Sequence, residues 1–110
     1  MNTHLETKAL FAGYNPADNH GAVKPPMHPA STFVFPSAAV GAAHMETAYG
    51  VDGAETPPEG GFIYSRLGNP TLSVAETRLA AWDESDAAAF FASGMAAIST
   101  MLFALTGPDK

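Results

Sequence analysis

Residues 87–105, AAAFFASGMAAISTMLFAL, carry no charge and only one soft break, at Ser93-Gly94; no other stretch restricts the possible folds so strongly. The run AAAFFA at 87–92 is too short for a free-standing helix and suits a strand covered on both faces in a parallel sheet. Residues 95–105, MAAISTMLFAL, are apolar nearly all round, the pattern of a buried helix, and Gly107 with Pro108 supplies a stop. Strand, tight turn and buried helix make half of a βαβ unit. The returning parallel strand is expected just past Asp109 and Lys110, so the chain reads as cut. Left exposed, Met95, Ile98, Met101, Leu102, Phe103 and Leu105 would each forfeit roughly 1.5 to 3 kcal/mol, about 10 kcal/mol together. A whole domain is stable by only about 5 to 15 kcal/mol. The isolated chain is therefore expected not to be a stable monomer.

The remaining composition narrows the class of partner. With 110 residues the chain makes at most one domain, and its 46% hydrophobic and 15% charged content fits a packed chain, not a disordered one. Five Lys and Arg stand against eleven Asp and Glu, a net charge of −6. That charge repels phosphate backbones and anionic lipid, so neither nucleic acid nor a membrane is expected as a partner. The absence of cysteine removes disulfides and thiol chemistry and suits a cytoplasmic setting. The start, MNTHLETKALFAGYNP, lacks the basic and apolar blocks of a secretory signal, and no membrane-spanning segment is expected.

Local signals order the chain. Residues 3–12 can form a short helix with Thr3 as cap, Leu5, Ala9 and Ala12 on one face, and Gly13 as its end. Five prolines (Pro16, Pro25, Pro26, Pro29 and Pro36) forbid a long helix across the next segment and favour an extended arm, with STFVF at 31–35 as a short strand. Ser37 can cap a helix over 38–49, which Gly41 weakens by about 1 kcal/mol relative to alanine. Residues 50–61, with the acidic insertion VDGAETPPEGG at 51–61, read as a loop. Asn69 caps and Pro70 opens a helix to about Asp83, with Leu72, Ala75, Leu79 and Trp82 on one face. DESD at 83–86 is a turn, and its carboxylates Glu84 and Asp86 read as solvated.

Two places carry candidate chemistry. At Ser93-Gly94 a sharp passage from strand into helix leaves the backbone N–H groups of Gly94, Met95 and Ala96 without partners at the positive end of a helix dipole, where anions bind. An ordinary turn with a capping serine is the alternative. In EGGFIYSRLGNPT, Tyr64 and Arg66 lie two residues apart, on the same side of an extended segment, and offer a hydroxyl and a planar fork of donors that suit a phosphate. A surface ion pair and a partly buried ring are the alternative there. His4, His20, His28 and His44 lack metal-ligand spacing, so no metal is expected. Ser93 has no evident base and lacks the first glycine of a nucleophile elbow, and neither a dinucleotide fingerprint nor a P-loop is present.

Taken together, YSRLGNPT at 64–71, VAETRLAAWD at 74–83 and AAAFFASGMAAIS at 87–99, with the earlier GAVKPPMHPASTFVF, resemble the Cys/Met-metabolism family of pyridoxal-phosphate enzymes. This family includes the cystathionine γ-synthases, cystathionine γ-lyases and methionine γ-lyases. The resemblance covers essentially the whole chain but only the first part of such an enzyme. It implies an α/β type I pyridoxal-phosphate fold, with residues 1–61 as arm and 62–110 as the start of the large domain, assembled as a dimer of dimers. It also implies pyridoxal phosphate as cofactor, its phosphate cradled by the backbone of Gly94 and Met95 and clamped by Tyr64 and Arg66 of a neighbouring subunit. The implied chemistry is elimination or replacement on a sulfur amino acid or O-activated homoserine. The family's cofactor-binding lysine follows Ser and Thr, a context that Lys8, Lys24 and Lys110 all lack, so this segment holds no catalytic residue and is expected to be inactive alone. A non-catalytic chain that only associates with full-length subunits is the second reading.

Overall fold

A computed structural model describes residues 4–55 and 61–107. Helices α1 (Leu5–Phe11), α2 (Ala38–Ala48), α3 (Pro70–Trp82) and α4 (Gly94–Leu105) are joined by long connections, one of which holds a 3-10 turn at Pro16–Asn19. That turn is the one regular piece in a segment expected to be wholly extended. Asn15 starts it by accepting from Ala17 N–H at 3.1 Å, and the Tyr14 hydroxyl closes it by donating to the Ala22 carbonyl at 2.6 Å.

Helix starts follow the side chains that precede them. Ser37 accepts from Val40 N–H at 3.2 Å, Asn69 from Thr71 N–H at 2.9 Å, and Ser93 from Ala96 N–H at 3.1 Å. The cap residue of α1 is His4, whose side chain makes no cap bond, and Thr3, the expected cap, lies outside the described residues. Gly13 ends α1 at φ +69°, where a Cβ would stand 2.7 Å from the Thr77 Cβ of α3, so glycine serves both the turn and the close approach. Leu5, Ala9 and Ala12 are half-buried on the expected face of α1, which packs on α3.

Three expectations change. Among the described residues no strand ladder forms: the expected strand 87–92 pairs with no other strand, because a strand needs a neighbour to take its N–H and C=O groups. One N–H there, that of Phe90, donates instead to the Glu76 carboxylate at 3.1 Å. The expected strand 31–35 shrinks to one antiparallel bridge, Thr32 with Tyr64. The predicted apolar stripe of α3 stays largely uncovered: Leu72, Leu79 and Trp82 remain 39–52% exposed, and only Ala75 is half-buried. The α1 contact falls on the side of Thr77 and Arg78, whose Nε reaches the Ala12 carbonyl at 3.5 Å.

Gly41 also has a reason that helix propensity does not supply. A Cβ there would stand 3.0 Å from the Phe35 ring, which stacks on His44 at 5.5 Å, so the arm crosses α2 where a side chain is missing. Ala80 is the one buried hydrophobic side chain larger than glycine among the described residues, while α4 touches no other helix and exposes its large side chains by 50–78%.

Three outcomes are expected. The 110-residue chain alone should melt without a cooperative transition at low concentration, and a sharp calorimetric peak would contradict the absence of a core. In a full-length protein carrying this segment, Gly41→Ala should destabilise by about 1 kcal/mol, because overpacking against Phe35 exceeds the helix gain; a raised melting temperature would show that the ring yields. Asn69→Ala, which removes the cap and leaves partners unpaired, should cost about 2 to 4 kcal/mol in denaturant unfolding, with Asn69→Asp intermediate.

Candidate functional site

The Tyr64–Arg66 segment is built from its anchors. Phe33 N–H donates to the Ile63 carbonyl at 3.2 Å and Ser65 N–H to the Ser31 carbonyl at 2.9 Å, on either side of the Thr32–Tyr64 bridge. The rings of Phe33 and Phe62 pack beside it at 5.6 Å. Past the bridge the chain turns tightly, with Leu67 and Gly68 N–H both reaching the Tyr64 carbonyl at 2.8 and 3.1 Å. This turn delivers Asn69 to the start of α3, 9% exposed, with its amide donating to the His28 carbonyl and to Ser65 Oγ, each at 3.0 Å. The Thr71 hydroxyl, also at that helix start, accepts from His28 N–H at 2.9 Å. The arm is thereby fastened to α3 through both polar backbone groups of one residue.

On the outer side of this segment the Arg66 guanidinium carbon lies 5.0 Å from the centre of the Tyr64 ring. The two come together across the turn that Tyr64 opens, where an extended segment was expected. Arg66 is exposed and Tyr64 half-buried. No carboxylate pairs with Arg66 among the described residues. The guanidinium keeps its planar donor fork available for an anion.

The start of α4 forms the second half. Ser93 Oγ takes Ala96 N–H, so of the three expected free donors Ala96 is satisfied, and Gly94 and Met95 remain without a partner. Both residues are exposed, and no atom lies within 4 Å of where a Gly94 Cβ would be. Two adjacent N–H groups at the positive end of a 12-residue helix, with clear space before them, suit a phosphate oxygen. Both donor sets thus fit a phosphate-bearing group. Among the described residues no hydrogen bond, ring contact or described cavity joins Tyr64 and Arg66 to Gly94 and Met95.

Other candidates stay structural. No cluster of three or more metal-ligating side chains occurs among the described residues. His44 is 8% exposed between Phe35 and Gly61, where a Cβ would stand 2.8 Å from its Nε2. His28 lines a cavity of about 240 Å³ with Tyr14, Asn15 and Asp18. Its backbone role had no local signal, because Asn69 lies 41 residues away. Lys8 sits exposed in the last turn of α1 and Lys24 in the arm, while Lys110 lies outside the described residues.

Comparison with known proteins places the chain in a family. The family model for Cys/Met metabolism PLP-dependent enzymes matches residues 6–109. An L-methionine gamma-lyase of Pseudomonas deceptionensis is 37% identical over 107 residues, which are 97% of this chain and 24% of that protein. An L-methionine gamma-lyase of Streptomyces avermitilis is 40% identical over 98 residues, 89% of this chain and 23% of that protein. A cystathionine gamma-synthase of Mycobacterium tuberculosis is 39% identical over 102 residues, 93% and 22% of the two chains. The chain spans about a quarter of the length of these relatives. With YSRLGNPT and the Ser93-Gly94 helix start both inside the matched region, the chain belongs to the Cys/Met-metabolism PLP-dependent enzyme family.

Proposed function

We propose that this chain supplies the arm (residues 1–61) and the first part of the large domain (62–110) of a type I pyridoxal-phosphate enzyme. That enzyme acts on a sulfur amino acid or an O-activated homoserine by elimination or replacement, and assembles in the cytoplasm as a dimer of dimers. The observation that supports this reading best is the pair of unspent donor sets. Arg66 has no acidic partner among the described residues, and the N–H groups of Gly94 and Met95 have no acceptor.

Each set has a distinct task. Gly94 and Met95 hold the cofactor phosphate by backbone donors that cannot change protonation state, and the α4 dipole adds a fixed positive end. Arg66 brings a full charge in a planar fork, and Tyr64 a hydroxyl. The two sets do not meet within the described chain, which suits a division in which Gly94 and Met95 serve the chain's own site and Tyr64 and Arg66 a neighbour's. When bound, pyridoxal phosphate supplies an electron sink for a carbanion beside the amino group. The residues here orient it and neutralise its phosphate. Neither Lys8 nor Lys24 stands near either donor set in any described contact, so residues 1–110 alone are expected to be inactive.

In a full-length protein carrying this segment, Arg66→Ala should weaken pyridoxal phosphate retention on dialysis by on the order of tenfold or more, because a charge-assisted hydrogen bond is lost. Arg66→Lys should lose less, since one charged contact survives without the fork. Equal retention in all three proteins would remove Arg66 from the site.

A further inference from the structure

We propose that Ser65 is the positioning residue of the Tyr64–Arg66 clamp, an inference that rests on the functional reading above. Tyr64 opens a tight turn, its carbonyl accepting from Leu67 N–H at 2.8 Å and from Gly68 N–H at 3.1 Å, so Ser65 and Arg66 are the turn's central residues. Tyr64 and Arg66 share the outer side, with the guanidinium 5.0 Å from the ring centre, while Ser65 faces the arm. Its hydroxyl donates to the Ala30 carbonyl and accepts from the Asn69 amide at 3.0 Å, and its N–H donates to the Ser31 carbonyl at 2.9 Å. Three hydrogen bonds converge on the middle residue while both neighbours point outward, so the clamp's aim is held from behind.

The chemistry requires a hydroxyl at this place. One O–H must be spent on a carbonyl while its oxygen receives an amide proton, a combination that serine and threonine have and alanine lacks. Arginine on a free loop loses much rotamer freedom when it grips an anion. An anchored peptide and a stacked ring remove part of that loss beforehand. The ligand class is a phosphate monoester dianion, whose charged oxygens would suit the donors of the guanidinium fork and the Tyr64 hydroxyl.

The test uses the full-length apoprotein and two probes, pyridoxal phosphate and pyridoxal, and reads the Kd for pyridoxal divided by the Kd for pyridoxal phosphate, a ratio in which everything except phosphate recognition cancels. Ser65→Ala should reduce that ratio about tenfold, the effect of losing preorganisation and two hydrogen bonds, and Ser65→Thr should restore most of it. A general loss of folding would lower affinity for both probes together and would not be rescued in the ratio. An unchanged ratio in Ser65→Ala, with a reduced one in Arg66→Ala, overturns the role of Ser65 and leaves the clamp intact. An unchanged ratio in Arg66→Ala overturns the clamp itself. Should Ser65→Ala fail to fold, Asn69→Asp keeps the α3 cap and removes the amide donor to Ser65. A ratio reduced several-fold in that variant supports the proposal, and an unchanged one overturns it.

Discussion

The Asn69 side chain holds the described structure together. Its oxygen caps α3, and its amide spans the arm at His28 and the Tyr64–Arg66 segment at Ser65. A buried amide with all its polar atoms matched to fixed partners tolerates few other arrangements, since any shift leaves a donor or acceptor unpaired in a place water does not reach. The start of α3, the direction of the arm and the position of Tyr64 and Arg66 are therefore linked. A long arm with almost no helix or ladder gains its geometry from such polar fastenings, seen again at Tyr14 with Ala22 and at Ser65 with Ala30.

Hydrophobic burial contributes little by comparison among the described residues. Large side chains of α4 and the outer stripe of α3 stay exposed, and α1 meets α3 through small residues, Gly13 against Thr77. The helices exist because their caps and propensities favour them locally, and their apolar faces wait for cover. This matches a chain that spans about a quarter of its relatives' length. Covering those faces would change the environment of Gly94 and Met95 without altering their backbone donors. That independence suits a phosphate cradle, because the donors are set by the first turn of one helix.

The candidate site was legible in unequal parts. Gly94 and Met95 could be read from a capping serine before an apolar helix, a short-range pattern. Tyr64 and Arg66 could be read as a same-side pair from extended spacing, whereas a tight turn brings the guanidinium to the ring. At Ala96 the structure follows the capping-serine alternative, because the hydroxyl which starts the helix consumes one of its donors. The anchoring roles of Ser65 and His28 were invisible, because hydroxyls and backbone groups carry no mark of partners 35 and 41 residues away.

What the sequence determined by itself was where helices begin and end: Ser37, Asn69 and Ser93 as caps, Pro70 at a first turn, Gly13 past a last one. These depend on dihedral preference and on side chains bonding two or three residues away, which any chain context preserves. Tertiary structure alone decided which face of α3 meets α1, why Gly41 must lack a side chain, and that 31–35 forms one bridge while 87–91 forms no ladder. A strand is a relation between distant segments, and a helix face is apolar whether or not a partner arrives. Periodicity records the readiness to be buried, and only packing selects the neighbour.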